Sequence, residues 1–185
     1  MNTVQPIRKP ELIEEIKQFL RDRSERDYFL FVMGINIGLR ITDMLYFRVK
    51  DVRGKTEIPI RERKTGKEKI IPINATLRRA IAEYTKDMQP NDYLFPSRQR
   101  DENNLVKPIT RERAYQILQD AADHFKLERI GTHSMRKTFG FHLYEKTKDI
   151  ALLMYIFNHS TESITLRYIG KNQESYSKAM SGFGL

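Results

Sequence analysis

The apolar residues of this chain recur at helical spacing almost throughout, and the pattern changes once, between Lys55 and Ile73. There Ile58 and Ile60 alternate with polar residues, Ile71 and Ile73 do the same, and Thr65-Gly66 lies between them. Alternation of period two on both sides of a glycine turn predicts an antiparallel hairpin with a tight turn. Elsewhere the repeats fall three and four residues apart, which gathers apolar side chains on one helix face. Leu12, Ile13, Ile16, Phe19 and Leu20 define a helix over Glu11–Leu20, and Arg26–Leu39 reads as a second, more buried one. Thr42–Val49 reads as a third, with Met44, Leu45 and Phe47 available for packing. Asn74 caps a helix running to about Met88, and Thr110 caps another reaching Phe125. Thr132 opens a further helix, Ile150–Phe157 is a short apolar one, and Ser160–Tyr168 is the last. Gln89–Lys107, with Pro90 and Pro96, reads as a loop anchored by Tyr93-Leu94-Phe95. The whole predicts a mainly α domain with one small antiparallel β-sheet, an α+β fold.

At 185 residues the chain has the length of one ordinary domain. Hydrophobic residues make up 39%, enough for a real core, so a wholly disordered chain is excluded. There is no cysteine, which removes disulfides, thiolate metal sites and a cysteine nucleophile. The longest apolar run, Phe29–Leu39, is too short to span a bilayer and reads as a buried helix. The opening MNTVQPIRKP has no apolar core of a signal peptide, so a cytoplasmic protein without a membrane segment is expected. Lys and Arg number 33 against 24 Asp and Glu, a net charge of +9. A basic face of this kind implies a polyanionic partner, most commonly nucleic acid.

Six residues form a constellation with chemical meaning: Arg40, Lys64, His133, Arg136, His159 and Tyr168. His133 and Arg136 stand three apart in the first turn of a helix and share a face. An imidazole, a guanidinium and a helix N-terminus together make a phosphate site. Arg40, following Gly38-Leu39, is able to clamp a second oxygen, because the planar guanidinium fork grips phosphate bidentately and keeps its charge. Lys64, at the hairpin turn, can reach into a groove of DNA and deliver a proton. Tyr168, on a short C-terminal helix, can attack phosphorus as a covalent nucleophile. Each residue alone has an ordinary explanation: a surface charge, a cap, an ion pair, or a packing tyrosine among nine. The order and context of all six carry the argument.

In that order the chain resembles the catalytic domain of the tyrosine recombinases, the phage integrase family. The motifs are Gly38-Leu39-Arg40 with Asp43, Lys64-Thr65-Gly66, His133-x-x-Arg136, Asn158-His159-Ser160 and Thr165-x-x-Tyr168-x-Gly170. The resemblance implies that Arg40 and Arg136 bind the scissile phosphate and that Lys64 protonates the leaving 5′ oxygen. It implies that His133 and His159 assist proton transfer and phosphate binding, that Asp43 buttresses the site, and that Tyr168 is the nucleophile. The implied activity is site-specific cutting and rejoining of double-stranded DNA through a 3′-phosphotyrosyl bond, without metal, ATP or other cofactor. The implied partners are DNA and other protomers, monomeric when free and tetrameric in the synaptic complex.

Two local departures stand out: Phe157-Asn158 where the family often has Leu-Gly, and Lys137 where it commonly has His. Family members usually carry an N-terminal helical domain that completes a clamp on DNA. Here Glu11–Leu20 already belongs to the catalytic fold, so the chain is expected to be either an excised domain or a natural minimal member. Residues 1–170 are expected to form the catalytic domain. Residues 171–185 read as a tail whose Tyr176, Met180, Phe183 and Leu185 pack on their own domain or on a neighbouring protomer. The competing readings are a type IB topoisomerase, with a similar Arg, Lys, Arg, His, Tyr set, and a non-catalytic DNA-binding module. A metal site built from His124, His133, His142 and His159 lacks ligand spacing.

Overall fold

Pro10 opens the first helix at a position where its missing N–H costs nothing. The computed structural model describes residues 4–64, 66–171, 180–181 and 183–184. Helix α1 (Pro10–Arg23) buries Ile13, Ile16 and Leu20 on one stripe. Ser24 ends it and caps α2 (Glu25–Ile37), accepting from the Asp27 N–H. In α2 the run Phe29, Leu30, Phe31, Val32 and Met33 is buried on every side, because α1, α5 and α7 all pack on it. Gly34 has no side chain where Met135 of α7 approaches, and an added Cβ there would overlap the Met135 thioether. Gly38 closes α2 in the left-handed region at φ 65°, its N–H returning to the Gly34 carbonyl.

The stretch expected as one helix over Thr42–Val49 is instead two single turns, α3 (Ile41–Met44) and α4 (Val49–Val52). Backbone partners from a distant loop win at the break. Leu94 N–H bonds the Phe47 carbonyl at 2.9 Å, Val49 N–H bonds the Asp92 carbonyl at 3.0 Å, and Arg48 bridges Tyr93. The hairpin forms as predicted, with β1 (Glu57–Arg61) antiparallel to β2 (Glu68–Pro72) and Ile58 opposite Ile71. Its connection is longer than a tight turn and spans residues 62–67, with Gly66 at φ 68°. Asn74 caps α5 (Ala75–Thr85) by accepting from Leu77 N–H at 2.8 Å. That helix stops short of Met88 because the Arg53 guanidinium takes the Thr85 and Met88 carbonyls.

A second two-stranded sheet, β3 (Pro96–Arg100) with β4 (Val106–Pro108), occupies the segment expected as loop. Its residues are mostly polar and none is buried, so no alternation announced it. Four further helices follow among the described residues, α6 (Arg111–His124), α7 (Thr132–Thr147), α8 (Ile150–Phe157) and α9 (Glu162–Tyr168), close to expectation. Among the described residues no helix is long and apolar enough to cross a membrane. Most of the tail, residues 172–179, 182 and 185, lies outside the described residues; Met180 and Phe183 are exposed.

Two cores result. The large one gathers α1, α2, α5 and α6. A small one consists of Leu153, Phe157 and Ile169, backed by Phe139 and Tyr168 among others, and it packs α8 and α9 on α7. Gly140 of α7 makes that seat possible, since a Cβ there would stand 2.6 Å from the Phe157 ring and 2.9 Å from Ile169 Cγ2. The segment before α1 straps the same corner. Ile7 N–H donates to Thr138 Oγ1 at 2.8 Å, His142 Nε2 donates to the Ile7 carbonyl at 3.0 Å, and Arg8 donates to the Gly170 carbonyl at 2.9 Å.

Candidate active site

Arg136 is the buried centre of the constellation, 3% exposed on the second turn of α7. Its guanidinium donates to the Gly38 carbonyl at 2.5 Å and to the Phe157 carbonyl at 3.3 Å. These carbonyls end α2 and α8, so two helix C-termini face the cation with their negative dipole ends. The ring of Phe157 lies 4.5 Å from the guanidinium carbon, and Tyr168 is near enough to favour the charged guanidinium. Dipoles and an aromatic face hold the cation without neutralising it, which leaves full charge for an anion.

Arg40, Lys64, His133 and Arg136 line one cleft of about 480 Å³, together with Arg63 and Arg111. Gly38 turns the chain so that Arg40 caps α3 beside Arg136, the hairpin brings Lys64, and the start of α7 brings His133. Burial and the cations Arg136, Arg111, Lys137 and Arg40 hold the His133 imidazole below its ordinary pKa. His159 and Tyr168 sit behind Arg136, their ring centroids 5.0 Å apart. Burial pushes the Tyr168 phenol up, and Arg136 and Arg40 oppose that shift. Burial, then Arg136, Arg40 and Lys69, pull His159 down.

The tautomer of His159 follows from its neighbours. Thr165 Oγ1 gives its one proton to the Thr161 carbonyl at 3.0 Å, so it accepts from His159 Nδ1 at 3.2 Å. The Nε2 lone pair is then free in the neutral ring, and the lowered pKa favours that form.

Asp43 takes a different place from Arg40. Its Oδ1 accepts from Arg63 N–H at 3.0 Å, which fixes the base of the Lys64 turn. Its Oδ2 is buried without a hydrogen bond among the described residues. Arg40 is held by Glu62, at 2.8 Å, a residue that sequence reasoning missed. Strand parity was the available signal: Glu62, one residue past β1, continues the alternation of Ile58 and Ile60, and Ile58 is buried. Lys69, opposite Ile60, and the buried Lys137 were likewise not singled out as site residues.

Both departures in sequence have structural sense. Asn158 adopts φ 58° as the α8 cap, a conformation open chiefly to Gly and Asn, and its Oδ1 accepts from Lys67 at 2.6 Å. Lys137 donates to the Val4 carbonyl at 2.8 Å and stands 5.0 Å from the centre of the Tyr168 ring. The four histidines do not gather: His124 stacks on Phe19 and His142 serves Ile7. Among the described residues no three of His, Cys, Asp and Glu come together as metal ligands.

A helical domain with a cationic cleft backed by a tyrosine on a short helix near the C-terminus is the fold of tyrosine recombinase catalytic domains. A crystal structure of XerA recombinase superposes with a TM-score of 0.70 at 17% identity, covering 96% of this chain and 63% of that one. The chain belongs to the phage integrase family, whose profile matches residues 8–175. It is 51% identical over 184 residues to the probable integrase/recombinase YoeC of Bacillus subtilis, covering 100% of this chain and 99% of the relative. It is 27% identical over 158 residues to the tyrosine recombinase XerA of Pyrococcus horikoshii. That match takes in 84% of this chain and 54% of XerA, so the chain spans about half the length of this archaeal relative.

Proposed function

We propose that this chain is a DNA strand transferase that performs site-specific recombination by breaking and rejoining DNA through Tyr168. The Tyr168 oxygen attacks the scissile phosphorus and forms a P–O bond as the bond to the 5′ oxygen breaks. The phenolic proton passes to the neutral His159 Nε2, and Lys64 gives a proton to the leaving 5′ oxygen. A 3′-phosphotyrosyl bond and a free 5′ hydroxyl result, and attack by another 5′ hydroxyl reverses the step. Arg40 and Arg136 balance the charge that builds on the non-bridging oxygens, with His133 as a further donor, so neither metal nor ATP is required. Asp43 supports the turn that presents Lys64.

The observation that carries this reading is the seat of Tyr168: its ring packs edge-on against Phe157, whose own ring and carbonyl hold Arg136 in the cationic cleft. A DNA-binding module without catalysis has no use for a phenol buried against its phosphate-binding arginine. A nicked suicide duplex, from which the cut end diffuses away, tests it on a denaturing gel. The wild-type chain forms a covalent adduct, and Tyr168→Phe binds DNA but forms none. An adduct with Tyr168→Phe would move the nucleophile elsewhere.

We further infer that protomers join on DNA through the tail. An apolar groove of about 440 Å³ lies between β2, α7 and α8, lined by Ile37, Ile71, Ile73, Phe139, Leu143 and Ile156 among others. The exposed Ile70 and Tyr155 extend it. Tyr176, Met180, Phe183 and Leu185 of a neighbour supply matching apolar groups. Truncation after Gly170 should leave a folded monomer that cuts a single site but no longer assembles cooperatively on paired sites.

A further inference from the structure

We propose that Glu62 is a positioning residue of this active site: a buried carboxylate that fixes Arg40 for the phosphate and locks the Lys64 hairpin to the turn carrying His159. The proposal rests on the strand-transfer reading above.

Glu62 is 1% exposed, directly after β1 and two residues before Lys64. Its Oε2 accepts from Arg40 Nη1 at 2.8 Å, and its Oε1 lies 3.2 Å from Lys69 Nζ. Lys69 continues the chain of contacts, donating to the Ile156 carbonyl at 2.9 Å near the end of α8. One residue beyond α8, Asn158 accepts from Lys67 of the same hairpin. The hairpin is therefore tied to the α8 end at two points, and Glu62 is the anion at the root of one of them.

The charge distribution explains why an anion is needed there. Arg40, Arg136 and Lys69 all depress His159, which places three cations around one imidazole. Glu62 counters Arg40 and also steadies Arg136. By engaging Arg40 through one terminal nitrogen, Glu62 fixes the plane of the guanidinium and leaves its other donors to address a phosphate oxygen. A flexible Arg40 would have to be ordered during the reaction, and that ordering would slow the chemical step rather than weaken DNA binding.

The test uses the full chain and a pool of nicked duplexes with randomised sequence around the nick, from which wild-type substrates are recovered by covalent capture. One recovered duplex is then prepared with an ordinary scissile phosphate and with a methylphosphonate, which lacks one charged non-bridging oxygen. Capture rates are compared for wild type, Glu62→Gln, Glu62→Ala and Arg40→Ala. Because Arg40 acts on charge at that oxygen, Arg40→Ala should lose much more rate on the phosphate than on the methylphosphonate. Glu62→Ala should show the same selective loss, on the order of 10- to 100-fold on the phosphate. Glu62→Gln, which keeps an acceptor, should lose less. DNA affinity should hold or rise, since an anion has left a basic cleft. The ratio of the two rates does not depend on how much of a variant is folded. Equal loss on both substrates, or none, would overturn the Glu62 proposal and leave strand transfer standing. Failure of the wild type to capture any duplex would overturn the strand-transfer reading and this proposal with it.

Discussion

Gly140→Ala probes how the nucleophile is aligned, because α8 and α9 meet the rest of the protein at this glycine. The new Cβ would lie 2.6 Å from two atoms of the Phe157 ring and 2.9 Å from Ile169, where ordinary contact begins at 3.4 Å. Phe157 is 1% and Ile169 0% exposed, so neither has free space to retreat into. Overpacking of this kind costs about 1–3 kcal/mol. Replacing glycine in a helix interior returns about 1 kcal/mol. Two stiff neighbours struck at once place the cost in the upper part of its range, for a net loss of about 1–2 kcal/mol. At roughly 2–4 °C per kcal/mol for a chain of this size, the melting temperature should fall by about 2–8 °C. Catalysis should suffer more. Phe157 supports Arg136 through its ring and its carbonyl and stands edge-on to Tyr168, 5.2 Å between ring centres. A shift approaching 1 Å at this corner should slow adduct formation by about 10²-fold while DNA affinity stays near wild type. Gly54→Ala is the control, with φ 73° and nothing within 4 Å of the new Cβ. It should cost about 1–2 kcal/mol from backbone strain alone and leave the rate of adduct formation in the folded protein unchanged. Melting curves and suicide-duplex kinetics give both quantities. A Gly140→Ala variant that melts higher than wild type and cuts at the same rate would refute the reasoning.

Lys64→Ala should slow cleavage by about 10²–10⁴-fold, and a duplex with sulfur in place of the bridging 5′ oxygen should restore most of the rate, because a thiolate leaves without a proton; no rescue would transfer the acid role to another group. Cleavage should persist in excess EDTA, since two arginines carry the charge work, and activity restored by Mg²⁺ after chelation would contradict this. His133 and His159 have folded pKa values below their ordinary 6.5, so the unfolded chain binds more protons in the window just under that pH. Their contribution to stability is present above about pH 6.5 and is lost as pH falls below it. A DNA phosphate in the cleft raises both pKa values again, so binding should take up protons and tighten as pH drops from about 7 to 6. Calorimetry in buffers of different ionisation enthalpy measures that uptake, and a value of zero would count against phosphate contact by these imidazoles.

The local record in the residues reached far. Helix positions and caps were legible because periodicity and capping depend on neighbours a few residues away: Asn74 and Thr110 cap as expected, and Ile150–Phe157 is a helix. The six residues of the constellation are far apart in sequence, and the fold places Arg40, Lys64, His133 and Arg136 along one cleft with His159 and Tyr168 against each other. Tertiary structure decided what depended on distant partners. The helix expected across Thr42–Val49 broke because the Asp92–Leu94 backbone offered competing hydrogen bonds. The β3–β4 sheet formed from polar residues whose strand pairing is backbone to backbone and leaves no alternation in the side chains. In the sequence Glu62 is one of several charged residues around Lys64. It became the buried partner of Arg40 only because the fold brings a residue 22 positions away into contact with it, together with Lys69 across the hairpin. A carboxylate can remain charged out of water only where cations surround it, and that arrangement is a property of three-dimensional proximity rather than of local order in the chain.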